Sequence, residues 1–99
     1  MKFTLNKKVK YLVKKTKRFK EEFKKYEKRG YDFNRLNLVV EILSSGDKLS
    51  KVYKDHQLKG KWNGCRECHI APDWLLIYRY YDNDLILELM RTGTHSDLF

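Results

Sequence analysis

Five side chains in the second half of the sequence are of the kinds that move protons and stabilise charge: His56, His69, Asp73, Arg91 and His95. Cleavage of an RNA strand by its own 2′-hydroxyl asks for such a set. A base takes the 2′ proton, an acid protonates the leaving 5′ oxygen, and a fixed cation stabilises the crowded phosphate. An aromatic ring can hold an unstacked base beside them, and Trp74 and Phe99 supply candidates. Imidazole suits both proton roles because its ordinary pKa lies near 6.5. Each histidine taken singly reads equally well as a hydrogen-bonded surface group, so the chemistry depends on whether the fold gathers them.

A competing pattern overlaps this one. Cys65-Arg66-Glu67-Cys68-His69 fits the C-x-x-C-H of haem attachment and half of a zinc ribbon. Haem attachment belongs to export compartments, and the basic start MKFTLNKKVK is not followed by the apolar stretch of a secretory signal. Zinc would need two more ligands, for which His56 and His95 are the neutral donors at hand. In a strand, moreover, Cys65 and Cys68 point to opposite faces. The expectation is no metal, no cofactor, two free thiols and a cytoplasmic chain.

The elements that must position these residues are readable from periodicity. Lys10–Lys15 suits a short strand. Thr16 then offers a cap, and Phe19, Phe23 and Tyr26 form the apolar stripe of a helix stopped at Gly30. Asp32 caps a second helix with Phe33, Leu36, Val39, Val40 and Leu43 on one side, ended by Ser44-Ser45-Gly46. Residues 46–64 keep no period and read as a loop in which Trp62 pins the chain to the sheet. Three strands follow, Cys65–Ile70, Trp74–Tyr80 and Leu85–Thr92, separated by Ala71-Pro72-Asp73 and Asp82-Asn83-Asp84 turns. The predicted fold class is α+β, in the order β-α-α-β-β-β, with an antiparallel sheet packed against an N-terminal helical hairpin and Trp74–Tyr78 at its centre. Such a meander brings His69, Asp73, Trp74, Arg91 and His95 toward one rim, over which the His56 loop can fold.

Charge is distributed along the chain as unevenly as the motifs. Of 99 residues, 22 are Lys or Arg and 13 Asp or Glu, a formal net of +9. Residues 1–61 hold a net of +12 and residues 62–99 a net of −3. That excess is the footprint of a protein that approaches a polyanion. On the first helix and the segment leading into it, Lys14, Lys15, Lys17, Arg18, Lys20, Lys24, Lys25, Lys28 and Arg29 face only Glu21, Glu22 and Glu27. Like charges so close cost helix stability, which favours a binding role over solubility alone. At this length there is room for one domain and none for a separate cofactor domain.

The ordered segments Asp55-His56-Gln57-Leu58-Lys59-Gly60, Trp62-Asn63-Gly64, Arg66-Glu67-Cys68-His69-Ile70-Ala71-Pro72-Asp73-Trp74 and Arg91-Thr92-Gly93-Thr94-His95-Ser96-Asp97-Leu98-Phe99 resemble the YafQ branch of the RelE/ParE toxin superfamily. The likeness runs from about Thr16 to the end, over a single toxin domain of 99 residues with residues 1–9 as a basic extension. It implies a RelE-like fold and the toxin of a type II toxin–antitoxin module. The activity implied is that of a ribosome-dependent mRNA endonuclease, an mRNA interferase working without metal. By motif, His56, His69, Asp73 and His95 would form the acid/base set, Arg91 would stabilise the phosphate, and Trp74 and Phe99 would hold the mRNA. Lys14, Lys15, Lys17, Arg18, Lys20, Lys24 and Lys25 would meet ribosomal RNA. The implied partners are an acidic antitoxin of the DinJ or RelB kind, the ribosome and mRNA, with no membrane; the toxin alone would be monomeric and would form a hetero-oligomer with its antitoxin. Two alternatives share parts of the pattern: a ParE-like gyrase inhibitor, which has no use for a histidine rim, and a noncatalytic RNA-binding module.

Overall fold

A computed structural model describes residues 9–99. The proposed extension lies outside the described residues except for Val9. The order is β1 (Leu12–Lys15), α1 (Lys17–Lys28), α2 (Phe33–Ser44), β2 (His56–Gln57), β3 (Arg66–Ala71), β4 (Trp74–Tyr81), β5 (Ile86–Gly93) and α3 (His95–Leu98), with single 3₁₀ turns at Lys51–Tyr53 and Gly60–Trp62. The two long helices begin at the predicted caps. Thr16 Oγ1 accepts from the Phe19 N–H at 3.0 Å, and an Asp32 carboxylate oxygen from the Asn34 N–H at 2.9 Å. At the end of α1, Gly30 takes φ +85°, which a side chain would strain.

The strands form one sheet in the order β1-β5-β4-β3-β2, so β4 is central as predicted. Strands β2 to β5 are antiparallel neighbours, but β1 runs parallel to β5, with Leu12 opposite Ile86 and Lys15 opposite Leu89. This differs from the all-antiparallel expectation. The two helices stand between β1 and the meander and return the chain to the same end of the sheet, and that crossover yields a parallel pair. The predicted loop also contains β2, a two-residue strand that no alternation pattern could reveal.

Alternation along β3 and β4 divides the side chains between two faces. Cys68, Ile70, Trp74, Leu76 and Tyr78 join Phe19, Leu36, Val39 and Leu43 beneath the helices. Phe23 of α1 and Phe33 of α2 stack with ring centroids 4.3 Å apart. On the other face Cys65, Leu75, Ile77 and Leu98 form a smaller cluster, with Leu58, Trp62 and Met90 packed against it. Trp62 therefore pins the loop, as predicted. Cys65 and Cys68 are free, buried, and in opposite clusters, so the pair cannot grip one ion or one porphyrin edge.

Candidate active site

The candidate site lies on the face of the sheet away from α1 and α2. Glu67 and His69 alternate with Cys68 and Ile70 and so share that face with Leu75 and Ile77. His56 stands opposite Glu67 in the β2–β3 register, which places it diagonally from His69 across the two strands. Such diagonal neighbours lie roughly 7–8 Å apart, within reach of one bound group.

His56 is held from below. Asp55, just before it, accepts from Arg66 Nη2 at 3.0 Å and from the Tyr78 hydroxyl at 2.5 Å, tying the loop to the sheet's helix face. Burial and that bond to Asp55 push the Tyr78 phenol well above its ordinary pKa, so it stays a donor. Lys54 takes φ +51° and turns its carbonyl to His56 Nδ1 at 2.7 Å. A carbonyl can only accept, so Nδ1 carries the hydrogen and Nε2 is left toward the site. Nε2 lies 3.4 Å from Glu67 Oε1, and a second proton on the ring would be received there.

At the sheet's rim the short helix α3 follows β5. Thr94 caps it, accepting from the Asp97 N–H at 3.2 Å. Asp97 is bound in turn by the Tyr26 hydroxyl and by Lys25 Nζ at 3.2 Å, which fastens α3 to α1. These two donors hold the Asp97 carboxyl below its usual pKa. Gly93 makes the approach possible: a Cβ there would lie 3.1 Å from the Tyr26 hydroxyl and 3.3 Å from Leu98 Cδ2.

So fixed, the first residue of α3 meets the β3–β4 turn. One oxygen of Asp73 accepts both the His95 backbone N–H at 3.0 Å and His95 Nδ1 at 2.5 Å. Those two bonds hold Asp73 below its ordinary pKa, so it is a carboxylate at neutral pH. The carboxylate fixes the imidazole with Nδ1–H inward and Nε2 free. The His69 ring lies beside it, with centroids 5.6 Å apart and planes 62° from parallel. His69, Asp73 and His95 thus come together as predicted, and His56 lies one strand over.

Two predicted site residues are placed otherwise. Trp74 is 4% exposed, and its indole N–H donates to Thr92 Oγ1 at 2.9 Å. It begins β4 on the helix side of the pleat, so the expected exposed stacking ring is a core residue. Arg91 forms a two-pronged pair with Glu22 of α1, Nη2 at 2.6 Å and Nε at 2.8 Å from Oε2. Just past a bulge in β5, where Leu89 and Arg91 oppose the adjacent Tyr78 and Ile77, the Thr92 N–H donates to Glu22 Oε1 at 3.1 Å. Arg91 therefore secures the helix to the sheet instead of standing free for a phosphate. Phe99 remains a surface ring, 60% exposed at the end of α3.

The predicted basic residues are all exposed, with Lys14 and Lys15 on β1 and Lys17, Arg18, Lys20, Lys24 and Lys25 on α1. Lys25 alone of these is engaged at the site's edge, through Asp97. Glu67, 5% exposed, was absent from the predicted set. Its signal was present, since residues 67 and 69 of one strand must share a face. A further groove of about 700 Å³ lies away from the histidines, with a polar floor of Asp55, Arg66 and Tyr78 already bonded to one another. Among the described residues no group of three or more His, Cys, Asp or Glu is arranged to hold a metal ion, and no helix is long and apolar enough to cross a membrane.

Residues 11–99 match the family described as "Bacterial toxin of type II toxin-antitoxin system, YafQ". The chain is 42% identical to the "mRNA interferase toxin YafQ" of Escherichia coli K12 over 82 residues, which is 82% of this chain and 87% of that protein. It is also similar to the toxin in the crystal structure of the E. coli DinJ-YafQ toxin-antitoxin complex, with a TM-score of 0.83 and 37% identity over 92% of this chain and 99% of that one. A metal-bound toxin from Helicobacter pylori is comparably similar, with a TM-score of 0.85 and 39% identity over 90% of this chain and 99% of that one.

Proposed function

The chain belongs to the YafQ family of bacterial type II toxin–antitoxin toxins, and from that membership and the geometry of the rim we propose that it cuts translated mRNA through the 2′-hydroxyl of the scissile nucleotide. It is an endoribonuclease of the mRNA interferase kind, and its partner is an antitoxin. The observation that carries the chemistry is the Asp73–His95 pair beside His69.

Asp73 orients His95 so that Nε2 accepts the 2′ proton. The oxyanion attacks phosphorus, the bond to the 5′ oxygen breaks, and His69 supplies that oxygen with a proton. The products are a 2′,3′-cyclic phosphate and a 5′-hydroxyl. The rings are spaced to flank a single phosphate. His56, when protonated against Glu67, adds positive charge on the same face. Phe99, exposed at the rim, offers a face to a base. No step in this scheme calls on a metal.

The distribution of charge supports ribosome dependence. The exposed lysines of β1 and α1 would meet ribosomal RNA, bringing the rim to the A-site codon, in the cytoplasm where translation runs. In the resting complex an acidic antitoxin segment would cover the same surface. Mapping mRNA 5′ ends with and without active translation, alongside a DNA supercoiling assay, tests the reading. Cuts that require translation support it. Loss of supercoiling without cuts would make the chain a gyrase poison, and neither effect would leave an RNA binder.

A further inference from the structure

β2 pairs with Arg66 and Glu67 and goes no further, so the edge of β3 beyond them has no strand beside it among the described residues. A groove of about 400 Å³ runs along that edge. His69 and Pro72 form its sheet side, and the 3₁₀ turn contributes Tyr53 and Lys54. Arg35, from the first turn of α2, completes the wall. The volume lies within the range of small-ligand sites, roughly 300–1,000 Å³.

Its chemistry is one-sided. Arg35 and Lys54 are exposed, and among the described residues neither is held by a carboxylate. Most other cations near the proposed site are engaged: Arg66 with Asp55, Arg91 with Glu22, Lys25 with Asp97. Lys54 is also the residue whose left-handed backbone presents its carbonyl to His56. One residue therefore both orients a site histidine and lines the groove that starts at another. Tyr53 is half-buried against the core, which holds its ring in place as part of the wall.

We propose that this groove is a nucleotide subsite for the RNA strand, taking the nucleotide next to the scissile phosphate with its base against Tyr53 and its phosphate between Arg35 and Lys54. The subsite rests on the endonuclease reading above and adds to it where the strand leaves the histidines. Two exposed cations hold a phosphate without reading sequence, and a tyrosine face accepts any base, so the subsite contributes position more than specificity.

The test is cleavage of a translated message in a reconstituted system, read as the rate of appearance of new 5′ ends, for the parent and an Arg35→Gln, Lys54→Gln double variant. Ribosome association is measured in parallel by co-sedimentation, and folding by thermal melting. The expected result is a fall in cutting of about tenfold or more, as for loss of about 1.4 kcal/mol or more of strand binding, with ribosome association and melting temperature at parent values. Tyr53→Leu should also cut more slowly than the parent, because the flat ring that takes the base is lost. Parent-rate cutting by the double variant overturns the subsite while leaving the nuclease standing. Equal losses of cutting and ribosome association also overturn it, since the cations would then dock ribosomal RNA. If the parent itself makes no cuts, the endonuclease reading fails and the subsite falls with it.

Discussion

Replacing Trp74 by phenylalanine removes the indole N–H that donates to Thr92 Oγ1 at 2.9 Å, together with the part of the ring that packs in the core near Tyr31, whose ring meets it edge-on at 5.1 Å. Thr92 is fully buried and still donates to the Leu75 carbonyl at 2.8 Å, so its hydroxyl loses one bond and keeps the other. A buried hydrogen bond of this kind is worth about 1 kcal/mol. The void left by the smaller ring adds about 1–2 kcal/mol, for a total of about 2–3 kcal/mol. In a domain of this size each kcal/mol moves the melting temperature by roughly 4–8 °C, so Trp74→Phe should melt roughly 10–20 °C below the parent. Thr92→Val closes a double-mutant cycle, and the coupling between the two sites should be about 0.5–1.5 kcal/mol. Below its melting point the folded variant should cut mRNA at the parent rate, because a ring 4% exposed has no face left for a nucleobase. Differential scanning calorimetry and cleavage assays decide the matter. A variant that melts with the parent but no longer cuts would refute the assignment of Trp74 to the core.

Asp73→Asn should lower cleavage by on the order of 10²–10³-fold, because an amide no longer fixes the His95 tautomer as a carboxylate does; an unchanged rate would remove Asp73 from the mechanism. Asp73 sits below the usual aspartate value of 3.8 because His95 donates to it twice. Its contribution to stability is thus fully present above that value and lost as pH falls through the lower one. Between about pH 5 and pH 2 the parent should therefore lose more melting temperature than Asp73→Asn does. Glu22→Gln strands Arg91 in a pair whose side chains are 13% and 14% exposed. The expected loss is about 2–4 kcal/mol, somewhat less than for a fully buried pair, read from the denaturant midpoint. An unmoved midpoint would show that the bulge needs no such tie. Burial raises the thiol pKa of both Cys65 and Cys68, so neither should react with a disulfide reagent in the native protein, and both should after unfolding. Rapid native labelling would mean that the sheet opens.

What the sequence made legible was local. Thr16 and Asp32 announce helix starts, Gly30 a helix end, and the two acidic turns a meander, because each acts within a few residues of itself. The parallel seating of β1 on β5 was not legible: it joins residues 74 apart in sequence, and the sense of pairing depends on where the intervening hairpin returns the chain. A similar separation, 69 residues, hid the Glu22–Arg91 pair, which turns an apparent phosphate ligand into a structural tie. Trp74 misled because proximity to Asp73 in sequence says nothing about side: within one residue the pleat carries the chain from the rim into the core. Two features were within reach. Strand alternation puts Glu67 with His69, and Thr94-His95-Ser96-Asp97 has the spacing of a capping box, which foretells the helix that presents His95.

The central claim is that the rim uses the RNA's own 2′-hydroxyl. A message carrying a single 2′-deoxynucleotide at a mapped cleavage position, translated in the presence of the protein, tests it directly. The account predicts no cut at that position, with neighbouring ribonucleotide sites still cleaved to 2′,3′-cyclic phosphate and 5′-hydroxyl ends. A cut at the deoxynucleotide at the parent rate would contradict it.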